Sequence, residues 1–210
     1  MQIGVFDSGK GGLNVMEVLK QNFPGIDFIY ISDKKNIPYG LKSTEILRDL
    51  TQKAIQPYIE QCAIIVIACN TATTSAIEHL RSQFPNTKFV GLEPMIRPAT
   101  NMTKTKSICV CATPATLRSS RYADLKKTYT ENIRVIEPDC TNWAGLIESD
   151  KFDKINLADL KDAIINKNCD VLVLGCTHYH LLLPRLRKLF PNLTILEPSN
   201  AVIERLKSIL

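Results

Sequence analysis

Four consecutive β-branched apolar residues, Ile64-Ile65-Val66-Ile67, break off into Ala68-Cys69-Asn70-Thr71 and a helical pattern. A short run of this kind has the signature of a strand buried on both faces, as in a parallel sheet covered by helices. Later the chain repeats the device: Val171-Leu172-Val173-Leu174 runs into Gly175-Cys176-Thr177-His178. In open α/β sheets ligands gather at the carboxyl ends of strands. One cysteine there is ordinary packing, since a small soft hydrophobe suits the end of a buried strand. Two, each followed by threonine-bearing polar residues, describe two thiols facing one small polar ligand.

The rest of the chain fits that frame. Strands are expected at Gln2–Phe6, Phe28–Ser32, Lys88–Leu92, Ser107–Ala112, Ile133–Pro138 and Thr194–Leu196. Helical patterns separate them: from Gly12, across Thr44–Gln61 with an interruption at Pro57, Thr73–Phe84, one helix from Thr113 through Leu125, Cys140–Glu148, Leu157–Ile165, Leu182–Phe190 and Ala201–Leu210. Strict alternation implies largely parallel sheets with helices on their faces. The expected fold is α/β: two pseudosymmetric lobes, 1–93 and 94–197, with a shared cleft between the cysteine strands.

Asp7 closes the first strand, and Ser8-Gly9-Lys10-Gly11-Gly12 turns into a helix. Glycines allow close backbone approach and a helix start favours an anion, but neither the dinucleotide nor the P-loop spacing is present. Lys10 either brings an ammonium to the cleft or sends its flexible stem into water, and the second is the ordinary behaviour of lysine. Cys109 and Cys111 share one face of a strand and read as core, with no zinc-spaced partners. His79 falls at a helix margin.

An apolar fraction of 45% and a charged fraction of 22% are those of a folded globular chain. Seven cysteines, an odd number placed in strands and helices, do not form a secreted disulfide framework, and no apolar run reaches membrane-spanning length. The amino terminus enters a strand without a signal-peptide pattern, so a cytoplasmic location is expected. The net charge of +5 is scattered and lacks an aromatic-rich basic stripe. Neither nucleic acid nor membrane is expected as a partner; a homodimer remains open.

Thiols flanking a chiral carbon can remove a proton from one face and return one to the other. A helix amino terminus behind each cysteine, and His178 near the second, would hold them closer to the thiolate. Taken together, Ile3-Gly4-Val5-Phe6-Asp7-Ser8-Gly9 with Gly11-Gly12-Leu13, Pro38-Tyr39-Gly40, Ala68-Cys69-Asn70-Thr71-Ala72 and Leu174-Gly175-Cys176-Thr177-His178-Tyr179 closely resemble the bacterial glutamate racemases. The ordered set spans most of the chain. The resemblance implies an isomerase without cofactor or metal that interconverts L- and D-glutamate and supplies D-glutamate for peptidoglycan. It also implies that the carboxy-terminal segment 198–210 returns to the first lobe.

Carried over by position, Cys69 and Cys176 are the acid/base thiols, assisted by Asp7 on one side and by His178 and Glu148 on the other. Ser8, Tyr39, Gly40, Asn70, Thr71, Thr113, Thr116 and Thr177, with Asp7 and His178, match substrate-binding positions. The chain departs from the pattern at Lys10, Ser32, His180 and Thr141-Asn142-Trp143-Ala144-Gly145. A racemase of aspartate or another acidic amino acid, and a silent relative that binds a ligand or protein, are the alternatives.

Overall fold

The computed structural model describes residues 2–210. In chain order the elements are β1 (Gln2–Asp7), α1 (Gly12–Asn22), β2 (Asp27–Ser32), α2 (Thr44–Ile55), β3 (Ile64–Ile67), α3 (Asn70–Gln83), β4 (Lys88–Gly91), α4 (Ile96–Met102), β5 (Ser107–Ala112), α5 (Pro114–Arg118) and α6 (Ser120–Tyr129). There follow β6 (Arg134–Ile136), α7 (Trp143–Glu148), α8 (Ala158–Ile165), β7 (Val171–Gly175), α9 (Leu183–Leu189), β8 (Thr194–Leu196) and α10 (Ser199–Lys207). The strands form two parallel sheets, ordered β2-β1-β3-β4 and β6-β5-β7-β8. Counted within each sheet, both orders are second-first-third-fourth, so the lobes are topological copies.

Burial follows from this order. β3 and β7 each lie between two strands and under helices on both faces, and every residue of both is buried. That is why they read as unbroken apolar runs rather than as alternation. One face of the first sheet packs with Leu47, Ile55, Ala76 and Leu80, and the other with Val15, Leu19 and three residues of the last helix, Val202, Ile203 and Leu206. Thus α10 covers the first sheet although it follows the last strand of the second.

The chain crosses between lobes twice. The first crossing, after β4, is Leu92-Glu93-Pro94, and the second, after β8, is Leu196-Glu197-Pro198. The same tripeptide leads out of the fourth strand of each sheet, a sequence repeat that marks both crossings. Glu197 accepts from the Ser199 N–H at 2.9 Å, fastening the start of α10. Glu93 pairs with Arg121 of the second lobe.

Several local expectations are corrected by capping. α3 starts at Asn70, not Thr73, because Cys69 is itself the cap: its Sγ accepts from the Ala72 N–H at 3.5 Å. The single helix expected from Thr113 through Leu125 is two, since Ser119 takes an extended conformation and its Oγ caps α6. α2 stops at Ile55, ahead of Pro57, where a short 3-10 turn takes over. The segment after Cys176 is a 3-10 helix, Thr177–Leu182, and α9 begins only at Leu183.

Candidate active site

At the switch point of each sheet the first and third strands lie side by side with their connections leaving in opposite directions. β1 and β3 deliver Asp7, Ser8 and Cys69 there; β5 and β7 deliver Thr113 and Cys176. The two edges face one another across a cavity of about 510 Å³, and both thiols line it. Of the residues singled out in the sequence, Ser8, Tyr39, Gly40, Thr71, Thr113, Glu148 and His178 also line it. Asp7, Asn70, Thr116 and Thr177 do not; they are buried behind its wall.

Those four hold the wall together. Asp7 is fully buried and accepts from the Gly9 N–H at 2.8 Å and, across the cleft, from Thr177 Oγ1 at 2.8 Å. Thr116 and Thr113 lie 3.1 Å apart by their hydroxyls, and Thr71 reaches Thr113 at 2.8 Å from the other lobe. Asn70 turns away, its amide donating to the Leu92 carbonyl at 3.2 Å, and its Oδ1 has no protein partner. Two glycines set how closely the parts approach. A Cβ on Gly12 would stand 2.4 Å from Asp7 Cβ, and one on Gly11 would stand 2.7 Å from the His178 backbone nitrogen.

The two thiols sit in different electrostatic settings. Cys69 Sγ lies 3.6 Å from Ser8 Oγ. Burial first, and then the neighbouring Asp7 charge, push its pKa up to about 12 against the hydrogen bonds from Ala72 and Ser8. The expectation that a helix start brings this cysteine toward the thiolate is therefore corrected: the α3 amides face it, but full burial beside a carboxylate outweighs them. Burial likewise raises Asp7, opposed by the positive charge of His178 and by its own hydrogen bonds.

Cys176 faces an imidazole instead, with Sγ 3.9 Å from His178 Nδ1. The other ring nitrogen, Nε2, lies 2.5 Å from Glu148 Oε2. Burial alone would lower His178, but its hydrogen bonds to Cys176 and Glu148 raise its pKa to about 10. The same bond to His178 leads the effects that hold Glu148 down at about 2. At neutral pH the pair is an imidazolium and a carboxylate, offering the Cys176 sulfur a positive hydrogen-bond donor.

Other residues resolve into supporting parts. Tyr39 donates to Asp33 Oδ2 at 2.7 Å, and burial, then Asp33, keeps it as the phenol. His79 bonds Gln52 outside the site at 2.6 Å. His180 is buried with Nδ1 3.8 Å from Glu197 Oε2, and burial lowers its pKa to about 4. Lys10 contradicts the expectation of a stem pointing into water: its Nζ is 2.6 Å from Asp150 Oδ1, on the other lobe. Ile37, Pro38, Leu41, Ala144 and Leu146 form an apolar part of the cavity wall that sequence reading did not identify. Pro38, next to Tyr39 and Gly40, was the available signal.

Among the described residues no cluster of three His, Cys, Asp or Glu side chains is arranged to hold a metal, and no helix is long and apolar enough to cross a membrane.

The Asp/Glu/hydantoin racemase family model matches residues 11–206, nearly the whole chain. This protein belongs to that family. A glutamate racemase of Deinococcus radiodurans is 37% identical over 212 residues, covering 98% of this chain and 73% of its own. The Escherichia coli glutamate racemase, solved with L-glutamate and the activator UDP-MurNAc-Ala, superposes with a TM-score of 0.86 at 28% identity, over 98% of this chain and 80% of that one. The Francisella tularensis enzyme, solved with D-glutamate, gives a TM-score of 0.81 at 29% identity, over 100% and 80%. Membership accounts for the paired parallel sheets; it leaves Lys10 and the sequence of α7 as features to be explained from this chain.

Proposed function

We propose that this protein interconverts L- and D-glutamate, with Cys69 and Cys176 acting on opposite faces of the α-carbon. The observation that carries the reading is the arrangement of two thiols from different lobes on one cavity, each with its own proton-handling partner. Glutamate is named as substrate because the relatives above are glutamate racemases, two of them solved with one or other enantiomer. In one direction the Cys176 sulfur, as thiolate beside the His178 imidazolium, takes the α-proton. The electron pair left on carbon is shared with the α-carboxylate, and the Cys69 thiol delivers its proton to the other face. The reverse direction exchanges the roles.

Asp7 is the carboxylate behind Cys69, and Glu148 orients His178. Ser8, Tyr39, Gly40, Thr71 and Thr113 supply hydroxyl and backbone groups for the substrate's polar ends, while Asn70, Thr116 and Thr177 hold those groups in place. Neither metal nor cofactor takes part in this reaction scheme, and activity is expected to survive a chelator. The structural units are 1–93 completed by 198–210, and 94–197. The product's destination, following the resemblance, is peptidoglycan.

The test is made in deuterium oxide with glutamate and aspartate side by side. Deuterium should enter the α-carbon of the glutamate product, because the delivered proton comes from an exchanged thiol. Cys69→Ser and Cys176→Ser should each abolish racemisation yet eliminate a β-leaving group from opposite enantiomers of a glutamate analogue. Full racemisation by either variant, or elimination by both from the same enantiomer, refutes the assignment; turnover of aspartate alone refutes the substrate.

A further inference from the structure

Lys10 stands in the glycine turn after β1, yet both ends of the residue engage the second lobe. Its backbone N–H donates to Glu148 Oε2 at 3.0 Å, the same oxygen that receives His178. Its ammonium reaches two residues further along the chain, to Asp150 Oδ1 at 2.6 Å, and lies 5.9 Å from the centroid of the Phe152 ring. The lysine side chain is only 23% exposed, although the Asp150 side chain is 77% exposed.

Asp150 is held for this contact by the end of α7. It has φ 57°, a left-handed conformation that a residue after a helix commonly adopts, and its N–H bonds the Ile147 carbonyl at 3.1 Å. Lys151 N–H closes the turn on the Leu146 carbonyl at 2.8 Å. Gripping Asp150 therefore fixes the last turn of the helix that presents Glu148. From there contacts run from Glu148 to His178 to Cys176. The contacts of Cys69, with Ser8 and Ala72, do not pass through Lys10.

We propose that Lys10, through its bridge to Asp150, is a positioning residue for the Cys176 half of the reaction, keeping the Glu148–His178 pair against that sulfur and leaving Cys69 unaffected. This rests on the racemase reading for its kinetic consequence but not for its structural one. An isolated exposed ion pair contributes little. Here the lysine is largely covered, joins two lobes, and shares its anchor with a backbone hydrogen bond to the residue being placed.

Asp150→Asn is the cleanest probe, because asparagine tolerates the left-handed backbone about as well as aspartate and removes only the charge. Lys10→Met removes the other end, and Lys10→Arg preserves the pair. In the full chain without substrate, alkylation by iodoacetamide is followed peptide by peptide near neutral pH, the buried Cys62, Cys109, Cys111, Cys140 and Cys169 reporting any unfolding. Cys176 alkylation should fall about fivefold in Asp150→Asn and Lys10→Met, the scale of one good surface ion pair, with Cys69 unchanged and Lys10→Arg near the parent. α-Proton exchange in deuterium oxide should fall by the same factor for one glutamate enantiomer, the one that Cys69→Ser still processes. Equal changes at both cysteines would mean general opening of the cleft and overturn the proposal, as would no change in Asp150→Asn. If the parent protein leaves glutamate untouched, the racemase reading fails, while the alkylation ratio still decides the role of Lys10.

Discussion

Changing Glu148 to glutamine removes one charge and almost no volume from the pair behind Cys176. The bond it alters is charge-assisted, with His178 Nε2 2.5 Å from Glu148 Oε2. Hydrogen bonds to charged groups are worth about 1.5–3 kcal/mol, and a neutral acceptor keeps roughly half. Glutamine should therefore cost about 0.8–1.5 kcal/mol, equivalent to about one pKa unit at His178 and up to about tenfold in turnover. The stability part has a defined pH window. His178 is raised from 6.5 to about 10, so its contribution is complete below pH 6.5 and lost as pH climbs through about 10. Glu148 is lowered from 4.5 to about 2, so its contribution is complete above pH 4.5 and lost as pH falls through about 2. With the variant's imidazole about one unit lower, the stability gap between parent and Glu148→Gln should hold from pH 4.5 through neutrality and shrink as pH climbs through about 10. Urea unfolding of both proteins at a series of pH values measures the gap, and ring-proton NMR follows His178 directly. A gap that stays flat from about pH 5.5 to 9.5, or widens, would refute a native ion pair between these residues.

Three further outcomes are expected. Thr177→Val deletes the donor to buried Asp7 and should destabilise the fold by about 1–3 kcal/mol; because burial already raises Asp7 and losing a donor raises it further, urea unfolding should show a larger loss at neutral pH than near pH 4. Gly11→Ala places a methyl 2.7 Å from the His178 backbone nitrogen, where no flexible side chain can yield, and a thermal melt should reveal about 1–3 kcal/mol of overpacking together with loss of turnover. Tyr39→Phe leaves the ring packed against Phe6 but strips the bond to Asp33, so a rise in KM with little change in Tm would place the hydroxyl's importance in substrate binding rather than in packing.

The strands were legible because a central parallel strand has no solvent face to encode: Ile64–Ile67 and Val171–Leu174 could be little else. The thiols were legible because those strands end at them. Caps were harder to read, since Ser119 and Cys69 act through one side-chain lone pair and do not disturb the apolar period around them. The cavity's apolar side was hidden for the opposite reason: Ile37, Leu41 and Leu146 carry no chemical mark separating a ligand-facing position from packing. Motif matching grouped Asn70 and Thr116 with the pocket residues, and it carries no information on which side of the wall a side chain lies: the Asn70 amide bonds the Leu92 carbonyl and the Thr116 hydroxyl meets Thr113. Lys10 escaped because its partner lies 140 positions away.

The two Leu-Glu-Pro crossings carry a mechanical consequence. A pair of bodies joined by one strand can swivel freely, but with two separate joints the line through both becomes an axle, and the only rotation that the joints by themselves would permit is that of a door. Cys69 and Cys176 stand on opposite bodies of that pair, so a cut at Pro198 would remove one of the two joints and leave the side-chain bonds across the cleft, Asp7 to Thr177 and Lys10 to Asp150 among them, to hold the register of the two sheets.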